Sequence, residues 1–203
     1  MASGNGSNAQ AVIDACSRVE LRAEVVAVVC DRPEARVLSR ADASGIPDVC
    51  VRRRPGEARA DYDARLADVV SGFDPDLVVL LGWMRILTTS FLGWFPDMVV
   101  NLHPALPGEL PGTHAIERAF AEFERGERTH SGVMVHLVPD AGIDDGPVLA
   151  TAQVAFEPGD TLESFEHRVH ATEHRLIVDT LQQMCAASSA RTHSLRDHQE
   201  IRT

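Results

Sequence analysis

Short apolar runs alternate with longer amphipathic stretches along most of the chain. Five runs rich in Val, Leu and Ala are typical of buried strands, at 24–30, 76–82, 98–103, 132–138 and 148–156. Apolar residues recur with helical spacing near 8–17, 34–44, 57–71, 114–125 and 161–185. This alternation predicts an α/β fold: a single Rossmann-like domain with a mostly parallel sheet flanked by helices.

Three segments depart from the regular alternation. The last two runs are joined by residues 139–147 without a helical pattern, so we expect an antiparallel or irregular pair. No apolar run precedes residues 4–8, where a parallel sheet would have its first strand, so the predicted sheet lacks that strand. We therefore expect either a start upstream of Met1 or a domain of reduced stability. The domain should span 1–185, and the polar segment 186–203, which lacks periodicity, is expected to be a mobile tail.

Composition limits the partners and the compartment of the protein. The chain has 203 residues, enough for one α/β domain, and a net charge of −11, which argues against nucleic acid or an anionic membrane as partner. No apolar run approaches the roughly 20 residues of a membrane span. Four cysteines lack any C-x-x-C spacing, which indicates a reduced, cytoplasmic protein without a metal or disulfide. The sequence does not indicate an oligomeric state.

The glycine-rich segment near the N-terminus is a candidate anion-binding loop. Gly4 and Gly6 permit close backbone approach, and the following helix would offer free N–H groups to a phosphate. The segment has no Lys and is therefore not a Walker A loop. Its G-x-G-x-x-A spacing, with Asp31 at the end of the next run, also fits a loose dinucleotide fingerprint. A simple polar turn with an Asn or Ser helix cap remains an alternative.

Polar side chains follow the third apolar run and recur in the later connection. Asn101 and His103 are two residues apart on a strand, so their side chains share a face and can polarise a carbonyl and move its proton. Asp144 or Asp145, in the connection between the last two runs, could orient a histidine and raise its pKa. Bonds to nearby backbone and a solvated acidic turn are the corresponding structural alternatives.

A carboxylate interrupts the apolar stripe of the last helix. Glu173 lies four residues from both Val169 and Ile177, so it needs an ion-pair partner or a polar ligand. Three histidines at positions 167, 170 and 174 share the flank of this helix. Their spacing could hold a metal, but a solvated flank is the favoured interpretation because nothing else in the chain indicates a metal site.

Taken together, these motifs resemble the family of phosphoribosylglycinamide formyltransferases, folate-dependent enzymes of purine synthesis. The resemblance runs from Ser3 to about Leu181. It rests on S-G-N-G-S-N at 3–8, G-W-M-R-I-L at 82–87, N-L-H-P-A-L at 101–106, P-G-T-H at 111–114, V-H at 135–136, I-D-D-G-P-V at 143–148 and T-E-H at 172–174. Several ordered motifs at compatible spacings are much more specific than any one of them.

The resemblance implies a role for each group of residues. The catalytic residues would be Asn101, His103 and Asp144. The acceptor phosphoribosylglycinamide would be bound by Gly4, Asn5, Gly6, Ser7, Asn8 and Glu173. The donor 10-formyltetrahydrofolate, a co-substrate, would be bound by Arg59, Met84, Arg85, Ile86, Leu87, Asn101 and Asp140, with the loop 140–144 closing over its pterin. The acceptor amine would attack the formyl group directly, without a metal.

The sequence departs from the family pattern at a few positions and leaves other functions open. Besides the missing strand, Met134 replaces a small hydroxyl residue, Asp145 replaces Gly or Ala, and residues 106–110 differ from the common form. A formyl-folate hydrolase would use the same three catalytic residues with water as acceptor. A nicotinamide-dependent oxidoreductase would explain Gly4, Gly6 and Asp31, and an inactive binding module is the remaining alternative. A methionyl-tRNA formyltransferase would need a further domain and a basic surface.

Overall fold

The computed structural model describes the backbone of residues 1–200 and the side chains of residues 1–187. Helices and strands alternate in this part of the chain, as the sequence predicts. The helices are α1 (Ser7–Ser17), α2 (Arg36–Ala43), α3 (Arg59–Ser71), α4 (Thr89–Leu92), α5 (Ala115–Glu124) and α6 (Leu162–Glu200). The strands are β1 (Val28–Cys30), β2 (Asp48–Cys50), β3 (Val78–Leu80), β4 (Val99–His103), β5 (His130–Leu137) and β6 (Val148–Ala155).

Five strands and five helices lie within or close to the predicted segments, whereas β2 and α4 were not predicted. The β2 strand spans only Asp48–Cys50 and both terminal residues are exposed, so it carries no apolar run. The last helix extends to Glu200, so its backbone continues through most of the predicted tail. Residues 201–203 lie outside the described residues, and the mobility of 186–203 stays a prediction.

The sheet is mixed, with parallel pairs at one end and antiparallel pairs at the other. Strands β1 and β2 pair in parallel, as do β3 and β4. The β4–β5 and β5–β6 pairs are antiparallel, which confirms the antiparallel alternative for the last two strands. The two sheets, β1-β2 and β3-β4-β5-β6, are not directly paired with each other. The α/β class with flanking helices is confirmed.

The first few residues occupy the gap between β1 and β3. Ala2 forms an isolated parallel bridge with β1 and donates its N–H to the carbonyl of Val29 at 3.0 Å. On the other side, the amino group of Met1 donates to the carbonyl of Val79 at 2.7 Å, and the N–H of Leu81 donates to Met1 at 2.9 Å. Met1 and Ala2 therefore form a short segment between the two sheets, called the N-terminal stub below. It lies in the place where the sequence predicts a missing strand.

An apolar cavity of about 400 Å³ lies beside this stub. It is lined by Met1, by Val12 and Ile13 of α1, and by residues that precede and begin β1 and β3, with the charged residues Arg22, Glu24, Asp74 and Asp76 among them. Apolar side chains stabilise a domain when they are buried against one another. Because the side chains around this cavity lack such neighbours, the sheet and α1 share little packing here.

Helices pack on both faces of the sheet and form two apolar clusters. One cluster joins α1, α2, α5 and α6 to the sheet, with Phe165 and Ile177 of α6 fully buried. The other joins α3 and α4, with Tyr62, Leu66 and Phe91 fully buried. Among the described residues, no helix is both long and apolar enough to cross a membrane. The carboxyl ends of β3 and β4 remain open between these helices and form the site described next.

Candidate active site

The predicted anion-binding loop has a backbone that requires glycine. Gly6 precedes α1 with φ 75°, in the left-handed region that an L side chain rarely adopts. A Cβ at this position would also lie 2.5 Å from Cγ2 of Val37. The buried hydroxyl of Ser3 accepts a hydrogen bond from the N–H of Met84 at 3.0 Å. The loop is thus packed against α2 and tied to the predicted donor segment.

Two strands and one loop bring the predicted catalytic residues together. Asn101 and His103 lie on β4, and the antiparallel register places His136 of β5 directly opposite Asn101. Asp144 reaches the same place from the connection between β5 and β6, in a left-handed conformation with φ 54°. Sequence spacing predicts that Asn101 and His103 share a face, while Asp144 joins them only because the loop folds back.

Asp144 uses its two carboxylate oxygens for different partners. Oδ1 accepts a hydrogen bond from Nδ2 of Asn101 at 3.0 Å. Oδ2 accepts the N–H of Gly112 at 2.8 Å and lies 3.3 Å from Nδ1 of His103. The other ring nitrogen of His103, Nε2, is 3.1 Å from the carbonyl of Leu110. Both nitrogens of His103 therefore face oxygen acceptors, so the ring can carry a proton on either nitrogen.

The pKa values of this pair are shifted by burial and by mutual contact. Burial lowers the pKa of His103 below its ordinary value, and the nearby Asp144 carboxylate offsets only part of this effect. The Asp144 carboxylate thus raises the pKa of this histidine, as the sequence predicts, but burial outweighs it and the net shift is downward. For Asp144, burial opposes ionisation. The proximity of His136, the hydrogen bond from Gly112 and the positive charge of a protonated His103 outweigh it and lower the pKa.

His136 belongs to the site although it was not among the predicted site residues. Its Nε2 lies 3.1 Å from Nδ2 of Asn101 and 3.5 Å from Oδ1 of Asp144. Its Nδ1 lies 2.8 Å from the carbonyl of Leu137. The residue is 2% exposed and follows the apolar stretch 133–135 near the end of β5. A buried histidine in such a strand is the sequence signal that could have identified it.

The segment after β3 presents apolar side chains to the same pocket. Met84 and Ile86 are 52% and 41% exposed, while Leu87 is buried. The side chain of Arg85 forms a 2.6 Å ion pair with the buried carboxylate of Asp31. Arg85 therefore lines the pocket while its guanidinium is held by Asp31, the residue directly after β1.

Arg59, at the start of α3, contacts the backbone of the predicted donor segment, residues 84–87. Its guanidinium donates to the backbone carbonyl of Ile86, but Arg59 does not line the pocket. Asp140 does line it, and its Oδ1 accepts the N–H of Gly142 at 2.8 Å. The donor-site assignments of Arg59 and Asp140 stay predictions.

A second polar group lies where α1 meets α6. Oε2 of Glu173, which is 4% exposed, lies 2.6 Å from Nδ1 of His170 and accepts a hydrogen bond from Nδ2 of Asn8 at 3.3 Å. The hydrogen bond to Glu173 raises the pKa of His170. Glu173, which interrupts the apolar stripe of α6, therefore has hydrogen-bond partners, as the sequence predicts for a buried carboxylate.

One pocket of about 330 Å³ joins most of these groups. Its walls include most of the predicted site residues, namely Asn8, Met84, Arg85, Ile86, Leu87, Asn101, His103, Asp140, Asp144 and Glu173. Gly4, Asn5, Gly6 and Arg59 do not line it, and Ser7 lines a neighbouring groove. Within the part of the chain that the structure describes, no group of three or more His, Cys, Asp or Glu side chains is arranged to hold a metal.

Comparison with known families agrees with this arrangement. The formyl transferase family model matches residues 1–181, nearly the whole part that carries the fold and the pocket. The chain belongs to the formyl transferase family. It is therefore a folate-dependent formyltransferase by class, and the nicotinamide-dependent alternative is wrong.

Individual relatives carry a more specific name. The phosphoribosylglycinamide formyltransferase of Dictyostelium discoideum is 39% identical over 192 residues, covering 88% of this chain and 93% of the relative. The enzyme of the same name from Escherichia coli is 37% identical over 174 residues, covering 86% of this chain and 80% of the relative. The crystal structure of the phosphoribosylglycinamide formyltransferase from Bacillus halodurans matches with a TM-score of 0.84 and 35% identity, covering 90% and 92% of the two chains.

Proposed function

We propose that this protein transfers a formyl group from 10-formyltetrahydrofolate to the amine of phosphoribosylglycinamide, in purine biosynthesis in the cytoplasm. One observation carries the proposal: a single pocket connects an apolar segment, a buried polar centre and the α1–α6 contact. A bisubstrate reaction needs this continuity, because the two reacting atoms must approach to about 3–3.5 Å. The names of the relatives support the same pair of substrates.

The donor would lie against the segment that follows β3. Met84 and Ile86 present apolar surface that folding leaves uncovered, which suits the flat face of a pterin. Arg85 would contribute through its backbone, because Asp31 holds its guanidinium. Asp140 and the loop 140–144 form the opposite wall, where closure over the ring would exclude water.

The acceptor would lie between the start of α1 and α6. Its phosphate would meet the residues 4–8, where the free N–H groups of the helix favour an anion. Glu173 would accept hydrogen bonds from the ribose hydroxyls, with Asn8 and His170 holding its carboxylate in place. The acceptor amine would then point towards the end of β4.

The chemistry at the end of β4 follows from the hydrogen bonds there. As the amine attacks the formyl carbon, negative charge develops on the formyl oxygen, and Asn101 donates to it the hydrogen that otherwise points to His136. Burial lowers the pKa of His103, which favours the neutral imidazole before the reaction. It can therefore accept the proton lost by the amine and return it to the donor nitrogen as the carbon–nitrogen bond of the donor breaks. Asp144 stabilises the imidazolium formed in between.

The proposal is tested by mixing the purified protein with both substrates and following the formylated acceptor by mass spectrometry. Formylated product, dependent on both substrates, is the expected result. Formate released at the same rate with and without acceptor would instead indicate a hydrolase, in which water replaces the amine. A protein that forms neither product, although it binds the donor in calorimetry, would contradict the proposed activity and favour a binding module.

A further inference from the structure

A single arginine of α2 contacts the predicted phosphate loop. Arg40 donates from Nε to the backbone carbonyl of Asn5 at 2.8 Å, and from Nη2 to the side-chain oxygen of Asn5 at 3.1 Å. A third contact, 3.5 Å long, runs from its Nη1 to Oε1 of Gln10 in α1. Two good hydrogen bonds from one planar guanidinium to one residue fix the orientation of that residue.

These contacts determine which end of the Asn5 amide is available to a ligand. Because Oδ1 of Asn5 faces Arg40, its Nδ2 must face away from the guanidinium. That NH₂ group has no hydrogen-bond partner among residues 1–187, and Asn5 itself is exposed. An amide held with its donor outward, one residue before the turn that starts α1, is suited to an anion.

The charge of Arg40 is also not neutralised by a direct partner. No carboxylate lies within ion-pair distance of it in the described part of the chain, whereas Arg18 in the same groove is paired with Glu20 at 2.9 Å. The acid nearest along these contacts is Asp14, which accepts a hydrogen bond from Gln10 at 2.8 Å. The other polar residues that line the groove are Ser7, His174, Arg175 and Asp179.

We infer that Arg40 is a positioning residue for the phosphate of the acceptor. It holds the Asn5 amide with its NH₂ outward and adds a positive charge beside the N-terminus of α1. The inference rests on the proposed function, and it supplies the cation that a loop without lysine otherwise lacks. It predicts recognition of a phosphate monoester through charge and through one oriented donor, whereas a purely structural role would treat phosphorylated and unphosphorylated acceptors alike.

The test compares Arg40→Gln with Arg36→Gln. Both variants remove one positive charge from α2, but Arg36 is exposed and its side chain makes no hydrogen bond to the loop. We expect Arg40→Gln to raise the KM for phosphoribosylglycinamide by about 10- to 100-fold, the range for losing a charge-assisted contact. The KM for the dephosphorylated acceptor, the kcat and the donor Kd should stay within about twofold. Arg40→Lys keeps the positive charge but lacks the planar guanidinium, so its KM for phosphoribosylglycinamide should lie between those of the wild type and Arg40→Gln.

Ribose 5-phosphate, titrated by calorimetry, separates this inference from the proposed function. Wild-type protein that binds ribose 5-phosphate, with binding weakened in Arg40→Gln but not in Arg36→Gln, supports the inference even if no formyl transfer occurs. Formyl transfer by the wild type with equal KM changes in both variants would overturn the inference and leave the proposed function standing. Equal losses for both acceptors in Arg40→Gln and Arg40→Lys would likewise overturn it, because they would indicate a packing role.

Discussion

Oδ2 of Asp144 lies 3.3 Å from Nδ1 of His103, and both side chains are largely buried. The pair is asymmetric, because the carboxylate also has hydrogen bonds from Asn101 and Gly112, whereas the imidazole has only the carbonyl of Leu110 as a second partner. Asp144 is therefore held in place by hydrogen bonds besides its contact with His103. The imidazole changes its protonation state during the proposed reaction while the carboxylate stays constant.

This asymmetry predicts strong coupling between the two residues. His103→Ala and Asp144→Asn should each lower kcat by about 10²- to 10⁴-fold, with little change in donor Kd, because the carboxylate acts through the imidazole. The double variant should be little worse than His103→Ala alone. Steady-state and single-turnover kinetics check this expectation. A double variant whose loss equals the product of the two single losses would contradict the coupled mechanism without contradicting the formyltransferase class.

The exposed apolar segment after β3 gives a prediction for the donor. Ile86→Glu places a charge in the apolar wall of the pocket, so it should weaken binding of 10-formyltetrahydrofolate by about tenfold or more, while the Kd of ribose 5-phosphate stays constant. Trp94→Glu is the matched control, because Trp94 is 55% exposed and lies outside the pocket. Calorimetric titration with the donor checks both. Equal donor affinity in the two variants would show that the donor binds elsewhere.

Much of the fold follows from the sequence because the central strands are buried on both faces. The runs around β1 and β3 have almost no polar residues, so their pattern allows little else than interior strands. The same principle explains why β2 was not predicted, because its residues Asp48 and Cys50 are exposed at the sheet edge. Local patterns thus predict buried elements well and exposed short ones poorly.

The candidate site could be predicted only as far as local spacing determines it. Asn101 and His103 share a face because they are two residues apart on one strand. The contact of His136 with Asn101 depends on the β4–β5 register, which no local pattern specifies. The sequence suggests a carboxylate beside His103 and hence a raised pKa. The net shift is downward because the depth of burial is a property of the folded pocket.

The turn before α1 gives a prediction for stability. Gly6→Ala combines a left-handed φ, which costs about 1–2 kcal/mol for an L residue, with a Cβ 2.5 Å from Val37. Gly45→Ala is the control, since it has a similar φ of 68° and no atom within 4 Å of its Cβ. Gly6→Ala should therefore lower the free energy of unfolding more than Gly45→Ala does, and should also weaken ribose 5-phosphate binding.

A second substitution tests the clash itself. Val37→Gly removes the two side-chain carbons nearest to the added Cβ, Cγ2 at 2.5 Å and Cβ at 2.6 Å, so the double variant with Gly6→Ala should be more stable than the sum of the two single losses implies. Urea unfolding of the four proteins measures this coupling. Strict additivity would mean that backbone strain alone, and not the contact with Val37, explains why glycine is required at position 6.

The stub between β1 and β3 predicts an unusual pH dependence of stability. Burial lowers the pKa of the Met1 amino group from 8.0 to about 5, although its hydrogen bond to Val79 remains. The unfolded chain therefore takes up this proton more readily than the folded one. The contribution of this group to the free energy of unfolding is fully present above pH 8. It is lost progressively as the pH falls towards 5, at up to about 1.4 kcal/mol per pH unit.

Extending the chain before Met1 should remove this dependence. Four added valines would replace the amine with a peptide bond, continue the parallel pairing towards the starts of β1 and β3, and enter the 400 Å³ cavity. Four added residues of Gly and Ser also move the charge away but provide no apolar surface. Both extensions should flatten the stability curve between pH 5 and 8, and only the valine extension should also raise the unfolding midpoint at pH 8, because buried apolar side chains add stability. Urea unfolding at each pH checks both effects. An unchanged slope in both extended chains would show that the Met1 amine is not the titrating group, because neither extended chain has an amino group at that position.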